Sequence, residues 1–167
     1  MRLDKQLAKD ILVNLLIFVS VVYGVHLYQT RNSPMGVAPE ITGFMLDGQA
    51  FKGLSAMEKP VLVHFWATWC KVCEFEHGNI SNIAQDYPVV GIASQSGSVS
   101  EVAAYVKDHE ITYPVLMDVD GYNAKRWNII GFPTSIVIDE NNEITFTEVG
   151  FTSEIGVRTR LWLAKLF

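Results

Sequence analysis

The sequence contains few cysteines: only Cys70 and Cys73 among its 167 residues. Two cysteines exclude a small protein held together by several disulfides, and they exclude a metal site built from four cysteines of one chain. The chain also has no run of lysine and arginine, and its 18 acidic residues outnumber its 13 basic ones, giving a net charge of −5. Because nucleic-acid binding needs a basic face that neutralises phosphates, this composition excludes a general nucleic-acid binder.

Charge is absent from one long stretch, between Asp10 and Arg31, where 20 residues are uncharged and mostly apolar. As a helix they would extend roughly 30 Å, the thickness of the hydrocarbon core of a bilayer. We therefore predict a single transmembrane helix at residues 11–30, preceded by an N-terminus at 1–10 and followed by a linker at 31–40. The alternative is a cleaved signal peptide, which needs a shorter apolar core and a small-residue cleavage site.

Basic residues determine the orientation that we expect for this anchor. Arg2, Lys5 and Lys9 precede the apolar stretch, whereas only Arg31 follows it closely. The positive-inside rule then leaves residues 1–10 in the cytoplasm and sends the rest of the chain across the membrane. In a Gram-negative bacterium this places the anchor in the inner membrane and the remaining domain in the periplasm, where paired thiols tend to be oxidised.

The remaining residues, 41–167, are enough for one well-packed domain. Two short segments, Thr42–Leu46 and Gln49–Lys52, flank Asp47-Gly48 in a pattern typical of a β-hairpin. Apolar strand segments then alternate with helical periodicity, which requires parallel strands with crossover helices, and a second hairpin and a helix end the chain. The fold class is therefore α/β, with a mixed sheet flanked by helices. The expected strands are Val61–Trp66, Val89–Ala93, Val115–Met117, Ser135–Ile138 and Ile144–Val149.

The two cysteines form a Cys-Lys-Val-Cys motif that directly follows a buried strand and opens a helix. Positions i and i+3 in the first turn of a helix satisfy the Cα separation that a disulfide needs. The helix N-terminus favours an anion, so we expect Cys70 to be the exposed nucleophilic thiolate and Cys73, one turn deeper, to resolve the mixed disulfide. Lys71 adds a positive charge beside Cys70. A structural disulfide or half of a zinc site are the other interpretations of a lone motif of this kind.

The residues from Phe65 to Cys73 read Phe-Trp-Ala-Thr-Trp-Cys-Lys-Val-Cys, and with Trp69 before the first cysteine they resemble the active-site segment of the thioredoxin superfamily. Residues 131–134, Gly-Phe-Pro-Thr, resemble the cis-proline loop of that family. The resemblance implies that Pro133 is cis, that the backbone of Phe132 binds an extended substrate segment, and that Gly150 borders the substrate groove. A simple glycine at the end of a strand is the other interpretation of Gly150.

Cys70 and Pro133 are 63 residues apart, which leaves room for one extra strand–helix unit around Val89–His109. An anchor, an opening hairpin and a central insertion together resemble the membrane-tethered periplasmic branch of the superfamily. That branch includes the TlpA-, ResA- and CcmG-like proteins and the suppressor-of-copper-sensitivity D (ScsD) type. The similarity extends over roughly Ile41–Phe167.

Histidines supply two further hypotheses. His64 occupies the strand position where thioredoxins often carry a buried acid, so it is a candidate proton acceptor for Cys73, titrating near pH 6.5; a neutral core histidine is the alternative. His77 follows Cys73 by one helical turn and would complete a Cu(I) or zinc site with the two cysteines. We instead expect Glu74 and Glu76 to make that helix face a solvated one, and we predict no metal site.

Together these features predict a membrane-tethered periplasmic thiol–disulfide oxidoreductase that reduces protein disulfides. Its expected partners are a disulfide-containing client protein, a membrane-bound thiol electron donor and the membrane itself. The exchange needs no organic cofactor. The alternatives are a protein disulfide oxidase, which uses the same residues in reverse, and a non-enzymatic copper carrier that uses the same cysteines.

Overall fold

The computed structural model describes residues 2–30 and 35–166, which form two compact units. The first unit is helix α1, Arg2–Thr30. Within the described ranges, no helix is both long enough and apolar enough to cross a membrane. The single span predicted at 11–30 is therefore not confirmed. Of the predicted linker, residues 31–34 lie outside the described part of the chain.

The second unit contains six strands, four helices and one short 3₁₀ turn at Leu54–Ala56. The strands are β1 Gly36–Val37, β2 Val61–Trp66, β3 Val89–Ser94, β4 Val115–Asp118, β5 Thr134–Ile138 and β6 Glu143–Val149. The helices are α2 Lys71–Ile83, α3 Val99–Asp108, α4 Tyr122–Arg126 and α5 Glu154–Leu163. Each of the five strands expected from the sequence is present within one residue of its predicted bounds.

The strands form one mixed sheet in the order β1-β6-β5-β2-β3-β4. The pairs β2–β3 and β3–β4 are parallel, and the pairs β2–β5, β5–β6 and β1–β6 are antiparallel. The parallel pairs are joined by α2 and α3, as crossover connections require. The predicted α/β class and the extra strand–helix unit, now β3 and α3, are confirmed.

Two apolar clusters cover the two faces of the sheet, and alternate residues of β2 enter each of them. Leu62 and Trp66 pack with residues of α2, α3 and α5, whereas Val63 and Phe65 pack with Trp127 after α4. Every residue of β2 and β3 is buried, so both strands are covered on both faces, as their apolar runs predict. The central strand β2 is thus held rigidly, and it ends four residues before Cys70.

The N-terminal part of this unit differs in two ways from the prediction. The Asp47-Gly48 turn forms, but the expected hairpin strands are reduced to a single bridge between Phe44 and Ala50. Its first arm pairs instead with the outer edge of β4, through Met45 opposite Leu116. In addition, Gly36–Val37, placed in the linker by the sequence, pairs with β6, so the ordered domain begins before residue 41. Both segments cover strand edges, which would otherwise expose unpaired backbone groups.

Candidate active site

The disulfide between Cys70 and Cys73 lies at the start of α2, where Cys70 is the residue that caps the helix. The two Cα atoms are 5.3 Å apart, and the backbone N–H of Cys73 donates a hydrogen bond to the Cys70 sulfur at 3.2 Å. The Cys70 sulfur therefore occupies the site where helix amides and the helix dipole stabilise an anion. Cys70 is 8% exposed and Cys73 is completely buried, so Cys70 is less accessible than predicted but is the more accessible of the pair.

The residues beside Cys70 are both exposed, and they differ in what they contribute. Trp69 is 62% exposed, and its indole N–H donates to the carbonyl oxygen of Gln95 at 3.1 Å. The Lys71 ammonium, 85% exposed, pairs with the Glu74 carboxylate at 3.0 Å. Hydrogen bonds from Lys71 and then from His109 lower the pKa of Glu74. The positive charge predicted beside Cys70 is therefore largely compensated by Glu74.

The loop before β5 carries the predicted cis peptide bond, between Phe132 and Pro133. The Phe132 ring packs edge-on against Trp69, with ring centroids 5.6 Å apart, which brings the loop against the active-site segment. Gly150 has a φ of +90° and its N–H donates to the Pro133 carbonyl oxygen at 2.8 Å. Gly150 thus ends β6 and also supports the proline loop, and the left-handed φ explains why glycine is needed there.

A groove of about 530 Å³ opens beside these aromatic rings. It is lined by Trp69 and Phe132 and by residues of α4 and the loop after it, including Ala124, Lys125 and Ile130. Ile130 is 56% exposed. The groove is therefore partly apolar and adjoins the residues next to Cys70 and Pro133.

His64 is completely buried in β2, and its Nδ1 lies 3.0 Å from the Ser135 hydroxyl oxygen. Burial, and to a lesser extent His77, lowers the pKa of His64 to about 3. The expectation that His64 titrates near pH 6.5 is therefore wrong, because desolvation disfavours the charged ring. Among the described residues its Nε2 has no hydrogen-bond partner. A role for the neutral ring toward Cys73 stays a prediction.

Glu76 is a site residue that the sequence analysis misplaced. It was expected on a solvated helix face, but it is completely buried, three residues after Cys73 on the same face of α2. Its Oε1 accepts a hydrogen bond from the Thr152 N–H at 2.9 Å, whereas Oε2 has no partner among the described residues. Burial raises the pKa of Glu76 to about 7. The spacing from Cys73 was the available signal, since i and i+3 share a helix face.

His77 is also buried, and both ring nitrogens are engaged. Its Nδ1 lies 2.8 Å from the Tyr113 hydroxyl and its Nε2 lies 3.3 Å from the Tyr105 hydroxyl. A metal ion would have to displace one of these hydroxyls to use His77 together with Cys70 and Cys73. In the described part of the chain, no three histidine, cysteine or acidic side chains are grouped as a metal site. The three-residue site of Cys70, Cys73 and His77 considered from the sequence is therefore not found among the described residues.

Known proteins are similar to this chain in sequence. Residues 34–159 match the family model described as Redoxin. The chain is 31% identical over 166 residues to the thioredoxin-like protein YneN of Bacillus subtilis, covering 92% of this chain and 97% of that protein. It is 28% identical over 142 residues to the thiol-disulfide oxidoreductase ResA of Bacillus cereus, covering 79% and 82% respectively.

Solved structures are similar to this chain as well. A thiol:disulfide interchange protein of the thioredoxin family from Chlorobium tepidum superposes with a TM-score of 0.68 and 28% identity, covering 80% of this chain and 98% of that one. The chain therefore belongs to the Redoxin family, within the thioredoxin superfamily. It is a protein disulfide oxidoreductase whose redox-active pair is Cys70 and Cys73.

Proposed function

We propose that this oxidoreductase works as a reductase of protein disulfides, in a domain tethered to the outer face of a cytoplasmic membrane. The observation that carries the direction of the reaction is the ion pair between Lys71 and Glu74 beside the cysteine pair. The Glu74 carboxylate offsets the positive charge that Lys71 would otherwise add next to Cys70. A dithiol becomes a strong oxidant when its thiolate is stabilised, so offsetting this charge limits that stabilisation and favours the donation of electrons.

The reaction begins when the Cys70 thiolate attacks a sulfur of the client disulfide. A new bond forms between Cys70 and that sulfur, and the other client sulfur leaves with the electron pair and takes up a proton. Cys73 then loses its proton and attacks the Cys70 sulfur, so that the second client sulfur leaves and the Cys70–Cys73 disulfide forms. The client gains two electrons and the cysteine pair loses two.

Glu76 fits the role of proton acceptor for Cys73. A carboxylate with a pKa of about 7 changes its protonation state near neutral pH, which is the range that general acid–base chemistry requires. Its Oε2 has no partner among the described residues and is therefore free to accept a hydrogen bond. We expect the release of client by Cys73 to accelerate as pH rises through about 7, because the ionised form of Glu76 accepts the proton.

The client docks as an extended segment along the proline loop, with the backbone of Phe132 as its hydrogen-bonding edge. The groove beside Trp69 and Phe132 would take an apolar side chain of that segment. The exposed Trp69 ring and the partly buried Phe132 ring beside it support this assignment, since both offer apolar contact area next to Cys70.

The membrane tether is proposed from the sequence of residues 11–30, which carry no charge, and from the basic residues that precede them. A cytoplasmic-membrane location implies a membrane-bound thiol donor that reduces the Cys70–Cys73 disulfide again after each cycle, because the periplasm is kept oxidising. Extraction of membranes with alkaline carbonate tests the tether. The full chain should stay with the membrane and a variant lacking residues 1–30 should not; release of the full chain would overturn it.

Equilibration of the full chain with glutathione buffers tests the direction of the reaction. We expect a reduction potential near the thioredoxin end of the known range, about −270 mV. A potential near −120 mV would overturn the proposed reductase activity in favour of an oxidase. Reduction of a protein disulfide by the full chain, with Cys70→Ser as the inactive control, completes the test. Stoichiometric Cu(I) or zinc binding without reductase activity would favour the metal carrier instead.

A further inference from the structure

Where strands β3 and β4 end, on the active-site side of the sheet, a buried polar group is present that disulfide exchange does not itself use. It is the carboxylate of Asp118, the last residue of β4, which is 2% exposed. Its Oδ2 accepts a hydrogen bond at 2.7 Å from the hydroxyl of Ser94, the last residue of β3. Because burying a carboxylate costs free energy unless hydrogen bonds replace those of water, its presence here requires an explanation.

The Asp118 carboxylate also holds the first turn of helix α4. Its Oδ1 accepts a hydrogen bond from the Asn123 N–H at 2.8 Å, and its Oδ2 accepts one from the Ala124 N–H at 3.1 Å. Helices α3 and α5 are capped differently, each by the serine that directly precedes it. The residue that precedes α4, Gly121, provides no side-chain cap. Helix α4 is therefore bonded to the end of a strand rather than to its own flanking residue.

The loop after β3 joins this strand end to the active-site segment. The Gln95 N–H donates to the Asp118 carbonyl oxygen at 2.9 Å, and the Gln95 carbonyl oxygen accepts from the Trp69 indole at 3.1 Å. The hydroxyl of Ser96 accepts a hydrogen bond from the Thr68 N–H at 3.1 Å. The two residues that precede the first cysteine are therefore bonded to this loop, and the loop is bonded to Asp118.

These hydrogen bonds connect two parts of the groove described above. Trp69 and Gln95 line the groove from the active-site segment and from the loop after β3, whereas Ala124 and Lys125 line it from α4. Asp118 is bonded to both parts, to Gln95 through its carbonyl oxygen and to α4 through its carboxylate. The separation between Trp69 and α4 therefore depends on Asp118.

The backbone of the groove lining has conformations that need such support. Gln95 and Asn128 have φ values of +48° and +50°, in the left-handed region that residues with a Cβ atom rarely adopt. Gly121, with a φ of +71°, lies against the Gln95 side chain, and a Cβ atom on it would come within 3.2 Å of that side chain. Strained backbone persists only where the surrounding contacts determine it, and it is concentrated at functional sites.

We propose that Asp118 is a positioning residue for client binding, and that it holds the groove open at the width that takes an apolar side chain of the client. This inference rests on the proposed function and deepens it, since it concerns the same groove. Asp118 acts through Trp69 and α4 and does not touch the client. Three donors converge on its two oxygens, and an ionised carboxylate accepts them all. An asparagine has a single acceptor oxygen and leaves at least one donor without a partner.

An alternative is that Asp118 only stabilises the fold. Asp139 provides a matched comparison, because it is also buried and its Oδ1 accepts hydrogen bonds from the Asn141 and Glu143 N–H groups, both at 2.9 Å. It lies between β5 and β6, at the end of the sheet away from the active site. Asp118→Asn and Asp139→Asn therefore each disturb a buried carboxylate that binds backbone N–H groups, and only the first disturbs the groove.

The experiment compares two fluorescent peptide disulfides that differ in one residue beside the cysteine, leucine in one and glycine in the other. The reduced full chain, in detergent micelles, is mixed with each, and the second-order rate constants of reduction are measured. We expect the wild type to reduce the leucine peptide about tenfold faster, because the groove buries its side chain. Asp118→Asn should lower this preference to about twofold while reducing the glycine peptide at the wild-type rate. Asp139→Asn should keep the wild-type preference.

An unchanged preference in Asp118→Asn would overturn the inference, and so would equal slowing with both peptides, which indicates a purely structural role. If Asp118→Asn does not fold, Ser94→Ala decides: it removes one hydrogen bond to the carboxylate and should lower the preference by about twofold or more, whereas an unchanged preference would overturn the inference. A wild type without any preference would overturn it as well. The failure of the proposed function is a different result, because the wild type would then reduce neither peptide.

Discussion

Replacing Glu76 by glutamine removes a buried charge and keeps the shape of the side chain. Glu76 is completely buried, with Oε1 bonded to the Thr152 N–H and Oε2 without a partner among the described residues. A glutamine carbonyl oxygen accepts the same hydrogen bond, and its NH₂ group takes the place of Oε2. Glu76→Gln therefore isolates the free energy of holding a carboxylate at this position.

The magnitude follows from the pKa of Glu76, which burial raises from 4.5 to about 7. At roughly 1.4 kcal/mol per pKa unit, the ionised form destabilises the folded state by about 3 kcal/mol. Because the folded pKa lies above the unfolded one, the folded protein keeps a proton that the unfolded chain has lost between about pH 4.5 and 7. The free energy of unfolding of the wild type therefore falls as pH rises through that window.

The NH₂ group of the glutamine has no partner and costs about 1 kcal/mol at every pH. We expect Glu76→Gln to be about 1 kcal/mol less stable than the wild type near pH 4 and about 2 kcal/mol more stable near pH 9. Urea unfolding of the oxidised full chain, followed by tryptophan fluorescence, measures both values. Glu140→Gln replaces an exposed glutamate and is the control, and its free energy of unfolding should equal that of the wild type at every pH. A stability difference for Glu76→Gln that does not change with pH would refute the reasoning.

Three further results are expected. Cys73→Ser should accumulate a covalent complex with client proteins that reducing agents dissolve, whereas Cys70→Ser should accumulate none, as non-reducing electrophoresis will show. Gly150→Ala should lower the free energy of unfolding by roughly 1–2 kcal/mol in urea titrations, because its φ of +90° strains any residue with a Cβ atom. His64→Gln should leave the pH midpoints of disulfide exchange unchanged, because burial holds the pKa of His64 near 3; a shifted midpoint would show that His64 titrates in the working range.

Much of the fold was predictable because apolar runs and helical periodicity are local signals. Strands β2 and β3 are buried on both faces, and their sequences are almost continuously apolar. The helix predicted to end the chain is present as α5, with Val157 and Leu161 buried. The pairing of Gly36–Val37 with β6 could not be predicted from the sequence. An edge contact of two residues depends on a strand near the far end of the chain and leaves no local pattern.

In the active site, too, some features could be predicted from the sequence and others could not. The cysteine pair, Trp69 and the cis bond before Pro133 follow from motifs, and the structure brings them together. The state of the charged groups does not follow from motifs, because it depends on what surrounds each one in three dimensions. Lys71 is neutralised by Glu74, and Glu76 is buried although glutamate is usually exposed. Burial, which the sequence does not report residue by residue, decides these outcomes.

The central claim is that Cys70 is the reactive sulfur of the pair, and selective alkylation tests it most directly. The reduced full chain is treated briefly with iodoacetamide at pH 7, and the two positions are quantified by peptide mass spectrometry. The account predicts rapid labelling of Cys70, which the N-terminus of α2 holds as an anion, and little labelling of the completely buried Cys73. Slow labelling of Cys70, or faster labelling of Cys73, would contradict it.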